Sequence, residues 1–283
     1  MPLLGAHMSI AGGLHLAFTR IRKVKGEALQ IFLSNQRQWK TPPLTAEMIE
    51  NFRLQWQKNR SIVVAAHDSY LINLAAPDQI TVEKSVTAFA DELVRAAVLE
   101  IPFLITHPGS HRGQGVEAGL ESFVHNLDSA ITLSKTSTVS VLIETTAGQG
   151  TNLGSKFEEI GFILRESRYR DRLGVCFDTS HAFAAGYDFR TPETYAETFS
   201  LFDQIIGLQR LKFFHLNDSK RLLGSRVDRH EHIGKGEIGL KGFRLLLNDP
   251  RFQNHPMVLE TPKGKDLKED RRNLKVLSSL ITA

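Results

Sequence analysis

Eight short apolar, β-rich runs alternate with segments of helical period from one end of the chain to the other, and this rhythm restricts the fold more than any other feature of the sequence. The runs occupy residues 3–7, 28–33, 62–66, 103–106, 139–143, 173–177, 211–216 and 257–259. Amphipathic segments lie near 11–24, 45–58, 79–99, 115–134, 154–165, 191–206, 238–247 and 265–281. Strands buried on both faces read as continuous apolar runs, and parallel neighbours need a crossover helix, so the alternation implies a parallel sheet with helices outside it. Eight such units in 283 residues suit a closed barrel, which takes ~250 residues, better than an open sheet. No Ser/Gly- or Pro-rich tract longer than a loop divides the chain, so residues 1–283 are expected to form one α/β domain, a TIM-type (β/α)8 barrel. The longest irregular stretch, about 217–236, exceeds an ordinary connection, and such stretches are often functional.

Composition narrows the class further. No apolar run reaches the ~18 residues a membrane-spanning helix needs. Met1-Pro2-Leu3-Leu4-Gly5 lacks the cationic segment and long apolar stretch of a secretory signal. Cys176 is the single cysteine, which excludes an internal disulfide and fits a reducing, cytoplasmic setting. A formal net charge of +4 permits a nucleic-acid partner without establishing one.

The chemistry sits where the runs end. His67 follows the third run, His107 the fourth, Glu144 the fifth and Asp178 the sixth, with His181 three residues later. His215 lies near the end of the seventh run, Asp228 and His230 in the long loop after it, and Glu260 at the end of the eighth. All C-terminal strand ends of an α/β barrel face one mouth, where active sites are built. Five histidines, two aspartates and two glutamates are therefore expected to converge there. Taken singly, a strand-end histidine is more often a hydrogen-bonded structural residue and a strand-end carboxylate a helix cap; nine on one face are not explained that way. Imidazole and carboxylate are the ligand types of zinc and similar metals. At about three to four ligands per ion, with one shared carboxylate, the set suits two or three ions. Such a site keeps a positive surplus suited to a phosphate, and metal pairs ~3.5–4 Å apart are a recurrent design for phosphodiester cleavage.

Seven blocks of sequence resemble the endonuclease IV family: HDSYLINL at 67–74, HPGSH at 107–111, ETTAGQG at 144–150, DTSHAFAAGYD at 178–188, HLNDSK at 215–220, GSRVDRH at 224–230 and LETP at 259–262. The resemblance runs through nearly the whole chain. It implies a three-zinc centre: one ion on His67, His107 and Glu144; a second sharing Glu144 and adding Asp178, His215 and Glu260; a third on His181, Asp228 and His230. Manganese or iron could take some sites. It also implies metal-assisted hydrolysis of the phosphodiester on the 5′ side of an abasic sugar, leaving 3′-hydroxyl and 5′-deoxyribose-phosphate ends, with trimming of blocked 3′ ends. Glu144 and Glu260 are the expected catalytic carboxylates. The expected partner is double-stranded DNA carrying such lesions, handled by a monomer. Met8, Ile10 and Ala66 depart from the family pattern, and none is a metal ligand, so they bear on packing only.

DNA recognition is expected from loops at the same mouth. Gln36 and Arg37 follow the second run, and Tyr70 and Leu71 follow the third. Read alone, either loop is a surface turn; the resemblance makes Arg37 and Tyr70 intercalating residues, in keeping with the lower cost of opening a stack that lacks a base. Lys220, Arg226 and Arg229 flank the third ion's ligands and are expected to grip phosphates, which makes binding salt-dependent. His7 reads as a structural or supporting histidine, His111 as either a phosphate contact or a loop cap, and Cys176 as buried and inert. Two rivals remain open: a metal-dependent sugar isomerase or epimerase on the same barrel, and a non-catalytic DNA-damage binder. The ligand surplus and the loops at 36–39 and 228–230 argue against the first, and the full ligand set against the second.

Overall fold

Each apolar run becomes a parallel strand of one ring. The computed structural model describes residues 1–282. The strands are β1 (Leu3–His7), β2 (Ala28–Phe32), β3 (Val63–His67), β4 (Phe103–Thr106), β5 (Ser140–Glu144), β6 (Leu173–Asp178), β7 (Leu211–His215), the two-residue β8 (Asp218–Ser219) and β9 (His230–Glu231), and β10 (Pro256–Leu259). Eight of them close in the order β1-β10-β7-β6-β5-β4-β3-β2, while β8 and β9 form a separate antiparallel pair. The helices are α1 (Leu16–Lys23), α2 (Ala46–Gln57), α3 (Gln79–Val98), α4 (Val116–Ser134), α5 (Phe157–Glu166), α6 (Thr179–Ala185), α7 (Pro192–Ile205), α8 (Gly239–Leu247) and α9 (Lys268–Leu280).

Three differences from the expected elements have local causes. α1 begins later than the pattern at 11–24 suggests, because Gly12 (φ 83°) and Gly13 (φ 137°) hold backbone conformations no helix contains. The short helix α6 lacks an apolar period of its own; it forms because the Asp178 carboxylate accepts the His181 N–H at 2.8 Å and caps its first turn. The stretch after the seventh strand is not wholly irregular, since β8 and β9 pair across it.

Two apolar layers hold the ring. Ala28, Ala65, Ile105, Leu142, Cys176, Phe213 and Val258 fill the inside of the barrel. A larger core lies between the outer face of the strands and the helices. Its largest fully buried side chains are all phenylalanines, including Phe89, Phe177, Phe199 and Phe214, each contributing about 1.5–3 kcal/mol by leaving water. Gly5 is required where β1 meets β2, since a Cβ there would overlap the Ala28 carbonyl oxygen. Met8 is buried and Ile10 packs against the outer core, the packing roles expected of them.

Candidate metal centre

Strand alternation builds the centre. Side chains two residues apart share a face of a strand, and one such step toward the mouth replaces the apolar plug with polar groups. Ala65 is followed by His67, Ile105 by His107, Leu142 by Glu144, Cys176 by Asp178, Phe213 by His215 and Val258 by Glu260. β7 needs a correction to keep this phase. Val175 pairs with Leu211 but Cys176 pairs with Phe213, so a bulge skips Lys212. Without that extra residue Phe214, not His215, would face inward beside Asp178.

Glu144 is the hub. It is fully buried. Its Oε2 lies 3.0 Å from His67 Nε2 and 3.3 Å from His107 Nε2. Its Oε1 lies 3.0 Å from His215 Nδ1 and 3.1 Å from His181 Nδ1. His215 Nδ1 is also 3.3 Å from Glu260 Oε2 and 3.7 Å from Asp178 Oδ2. Asp228 closes the outer side, with Oδ2 at 3.2 Å from His181 Nε2 and Oδ1 at 3.3 Å from His230 Nε2. Donor atoms of four sets, His67/His107/Glu144, Glu144/Asp178/His215/Glu260, Asp178/His181/His230 and Glu144/Cys176/His215, each fall within 4.8 Å of one another. Asp228 is the outermost of the nine expected donors, its side chain 45% exposed.

Supporting bonds fix which ring nitrogen faces the cluster. His67 Nδ1 donates to the Asp68 carbonyl at 2.9 Å, leaving Nε2 for the centre. His181 Nδ1 donates to the Thr145 carbonyl at 2.8 Å, leaving Nε2 toward Asp228. Such partners set the tautomer of a metal-ligating histidine. Burial alone would push the Glu144 carboxyl up, but the His215 and His107 rings outweigh it and hold the group well below the usual carboxylate range. Burial likewise works against a charged His181 or His215; Asp178, Asp228 and Glu144 more than offset it for His181, and Cys176, Glu144 and Glu260 for His215, raising both. The cluster thus favours positive charge between its rings and carboxylates. Nε2 of His107 and of His230 is buried with no hydrogen-bond partner among the described residues. Unpartnered nitrogens of His107 and His230 aimed at carboxylates, beside His67 and His181 rings whose tautomers are fixed from behind, fit divalent cations.

The rim residues occupy the loops expected of them. Tyr70 is 67% exposed, and its backbone N–H donates to Gln36 Oε1 at 3.1 Å, tying the two loops together. Arg37 is exposed beside them. Leu71 and Tyr70 line a cavity of about 230 Å³ with Asp68, His107 and Ser110. Lys220, Arg226 and Arg229 are exposed on the loop that carries Asp228 and His230. His111 caps its own loop, its Nδ1 accepting the N–H groups of Gly113 and Gly115. Cys176 is buried, and burial pushes its thiol up to about 12. A cavity of about 930 Å³ lies between Leu3, Lys25, Asn254 and Lys275, at the opposite end of the barrel, and contains none of these donors.

Two buried amides escape a reading of the sequence. Asn217 donates to Asp178 Oδ2 at 2.6 Å and accepts the main-chain N–H of Glu260 at 2.8 Å, joining the Asp178 carboxylate to the backbone at Glu260. Gln30 lies on β2, level with His7 in the strand pairing, and touches Glu260 and His215. Its one signal is a lone polar residue inside the apolar run 28–33, in phase with the inward-facing Ala28.

A family model described as a xylose isomerase-like TIM barrel matches residues 18–279. A protein of Chloroflexus aggregans named probable endonuclease 4 is 53% identical over 281 residues, covering 99% of this chain and 98% of its own length. The crystal structure of endonuclease IV from Thermus thermophilus superposes with a TM-score of 0.88 at 36% identity, covering 99% of this chain and 98% of that one. A D-tagatose 3-epimerase-like protein superposes with a TM-score of 0.73 at 17% identity, over 98% of each chain, a likeness of fold alone. Full-length identity at this level, together with a donor cluster at the mouth of the barrel, means that the chain belongs to the endonuclease 4 family within the xylose isomerase-like TIM barrels.

Proposed function

We propose that this barrel is the DNA-repair endonuclease its family implies, a hydrolase that cuts the phosphodiester on the 5′ side of abasic sites and trims blocked 3′ ends. One observation carries the reading: carboxylates and imidazoles from six barrel strands, α6 and the segment between β7 and α8 gather around the buried carboxylate of Glu144. The donor set, rings and carboxylates without a thiolate, suits three zinc ions, with manganese acceptable where carboxylates dominate. His67, His107 and Glu144 would hold the first; Glu144, Asp178, His215 and Glu260 the second; His181, Asp228 and His230 the third. When bound, such ions act as Lewis acids and neutralise charge developing on phosphorus and the leaving oxygen.

The chain's own residues do the rest. Glu144 and Glu260 would be the catalytic carboxylates, Glu260 in the four-donor set and Glu144 shared between that set and the one with His67 and His107. Tyr70 and Leu71 form a wedge against the unstacked step, and Gln36 and Arg37 fill the gap left by the missing base. Lys220, Arg226 and Arg229 contact phosphates and make affinity fall with salt. The enzyme works as a monomer in the cytoplasm on double-stranded DNA. No described helix is long and apolar enough to cross a membrane.

A sugar isomerase or epimerase, the rival open from sequence, has 3-epimerase and epimerase-like neighbours of 14–17% identity, a likeness that reaches the fold alone. An abasic-site duplex incubated with and without a chelator separates the readings. Scission that the chelator abolishes is the expected result. Binding without scission would replace the nuclease by a damage binder, and inertness toward DNA with ketose epimerisation would replace it by a sugar enzyme.

A further inference from the structure

We propose that Gln30 is a positioning residue that fixes the ring of His215 and the carboxylate of Glu260 with one amide. This rests on reading the cluster as a metal centre. Gln30 is fully buried at the middle of β2 and supplies no ligand. Its Oε1 lies 2.6 Å from His215 Nε2. Its Nε2 lies 2.6 Å from Glu260 Oε1 and 2.9 Å from His7 Nδ1.

The orientation of the amide follows from its neighbours. A carboxamide oxygen only accepts and its nitrogen only donates. Turned over, the oxygen would face the Glu260 carboxylate at 2.6 Å, acceptor against acceptor. Glu260 therefore sets the amide, and the amide sets His215. With Oε1 accepting, His215 Nε2 carries the hydrogen, and Nδ1 is left bare toward Glu144 Oε1 at 3.0 Å and Glu260 Oε2 at 3.3 Å. The second amide hydrogen makes His7 Nδ1 an acceptor, which gives that strand-end histidine its part: it holds Gln30 in place. Phe32 packs on the His7 ring with centroids 4.3 Å apart, so the support is itself immobilised. The same amide ties Glu260 Oε1 and leaves Oε2 for the four-donor set Glu144/Asp178/His215/Glu260. His67 and His181 are oriented by main-chain carbonyls; in His215 a side chain does this work, so a substitution can remove it.

The test uses Gln30→Met, which keeps length and volume and removes all three bonds, and Gln30→Glu, which keeps the acceptor for His215 but sets a carboxylate against Glu260. The full-length proteins are freed of metal and titrated with Co²⁺ against a competing chelator, following the visible absorption of the bound ion. Loss of such supporting partners typically weakens metal affinity by about 10- to 100-fold. A weakening of that size at one class of site, with an altered Co²⁺ spectrum, is expected for both variants. kcat on an abasic duplex should fall with KM unchanged, since Gln30 does not reach the DNA-facing rim. Folding is checked by circular dichroism, and either folded variant decides the question if the other fails to fold. Wild-type affinity and an unchanged spectrum in either folded variant would overturn the role of Gln30 alone. Failure of the wild-type protein to bind Co²⁺ would instead overturn the metal reading on which it rests.

Discussion

Asp218→Asn should detach the loop that carries two of the outer donors while leaving the barrel standing. Asp218 is fully buried at the start of β8. Its Oδ2 accepts the N–H groups of Gly234 and Gly236 at 2.9 and 3.1 Å. Its Oδ1 accepts those of Ser219, Ile238 and Gly239 at 2.9, 3.0 and 3.4 Å. One carboxylate thus gathers both ends of the segment between β7 and α8. Asparagine has a single acceptor oxygen, and its NH₂ would be set against the Gly234 and Gly236 amides. Hydrogen bonds to a charged group are worth ~1.5–3 kcal/mol each, so losing two removes ~3–6 kcal/mol of local stability. At about 1.4 kcal/mol per factor of ten, the lower figure already makes opening of the loop about 100-fold more frequent. Amide hydrogen exchange resolved by peptide, with metal content measured in parallel, reads the effect. Protection over residues 219–239 should fall, one ion's worth of metal should be lost, and the barrel strands should keep their protection. A variant with wild-type exchange in that segment and full metal content would refute the argument.

Three further outcomes are expected. Glu260→Gln replaces a charged oxygen of the four-donor set and should lower turnover on abasic duplex by about 100-fold or more, measured in single-turnover assays; near-normal cutting would exclude a catalytic role. Tyr70→Ala removes an exposed ring worth about 1–3 kcal/mol of stacking and should weaken binding of abasic duplex more than it slows cutting of bound DNA, a comparison an unchanged Kd would defeat. Glu92 is buried below the 34–39 loop, with Oε1 accepting from Ser34 Oγ at 3.1 Å and Oε2 unpartnered, and burial pushes its carboxyl up to about 8. A carboxyl raised on folding stabilises the protein below its ordinary value and loses that contribution as pH rises toward 8. Glu92→Gln should therefore gain on the wild type by up to ~1.4 kcal/mol per pH unit across that window, read from denaturant unfolding at several pH values. A pH-independent difference would show that Glu92 is ionised throughout.

The eightfold alternation is legible because burial on both faces of a strand forces continuous apolar runs, and the ring closes on those runs with boundaries shifted by a few residues. The donors are legible because each breaks such a run at its mouth end. Gln30 is not, because one amide within an apolar run carries no mark of whether it meets a ligand or only packs. Nor can spacing show the bulge at Lys212, although the inward turn of His215 depends on it. His111 reads from sequence as either a phosphate contact or a loop cap; its bonds to Gly113 and Gly115 serve the loop. Asp218 looks like one more acidic residue in a polar loop, and its work is done by main-chain amides that sequence does not display.

The order of strands in the ring has a consequence for biosynthesis. β10, the last of the described barrel strands in chain order, closes the ring between β1, the first, and β7, and Glu260 follows directly on its end. A growing chain that has not yet reached β10 therefore lacks one donor of the Glu144/Asp178/His215/Glu260 set. An ion held by that set would tie β10 to β5, β6 and β7 from inside the ring, a clasp beside the seam that β1 and β10 close.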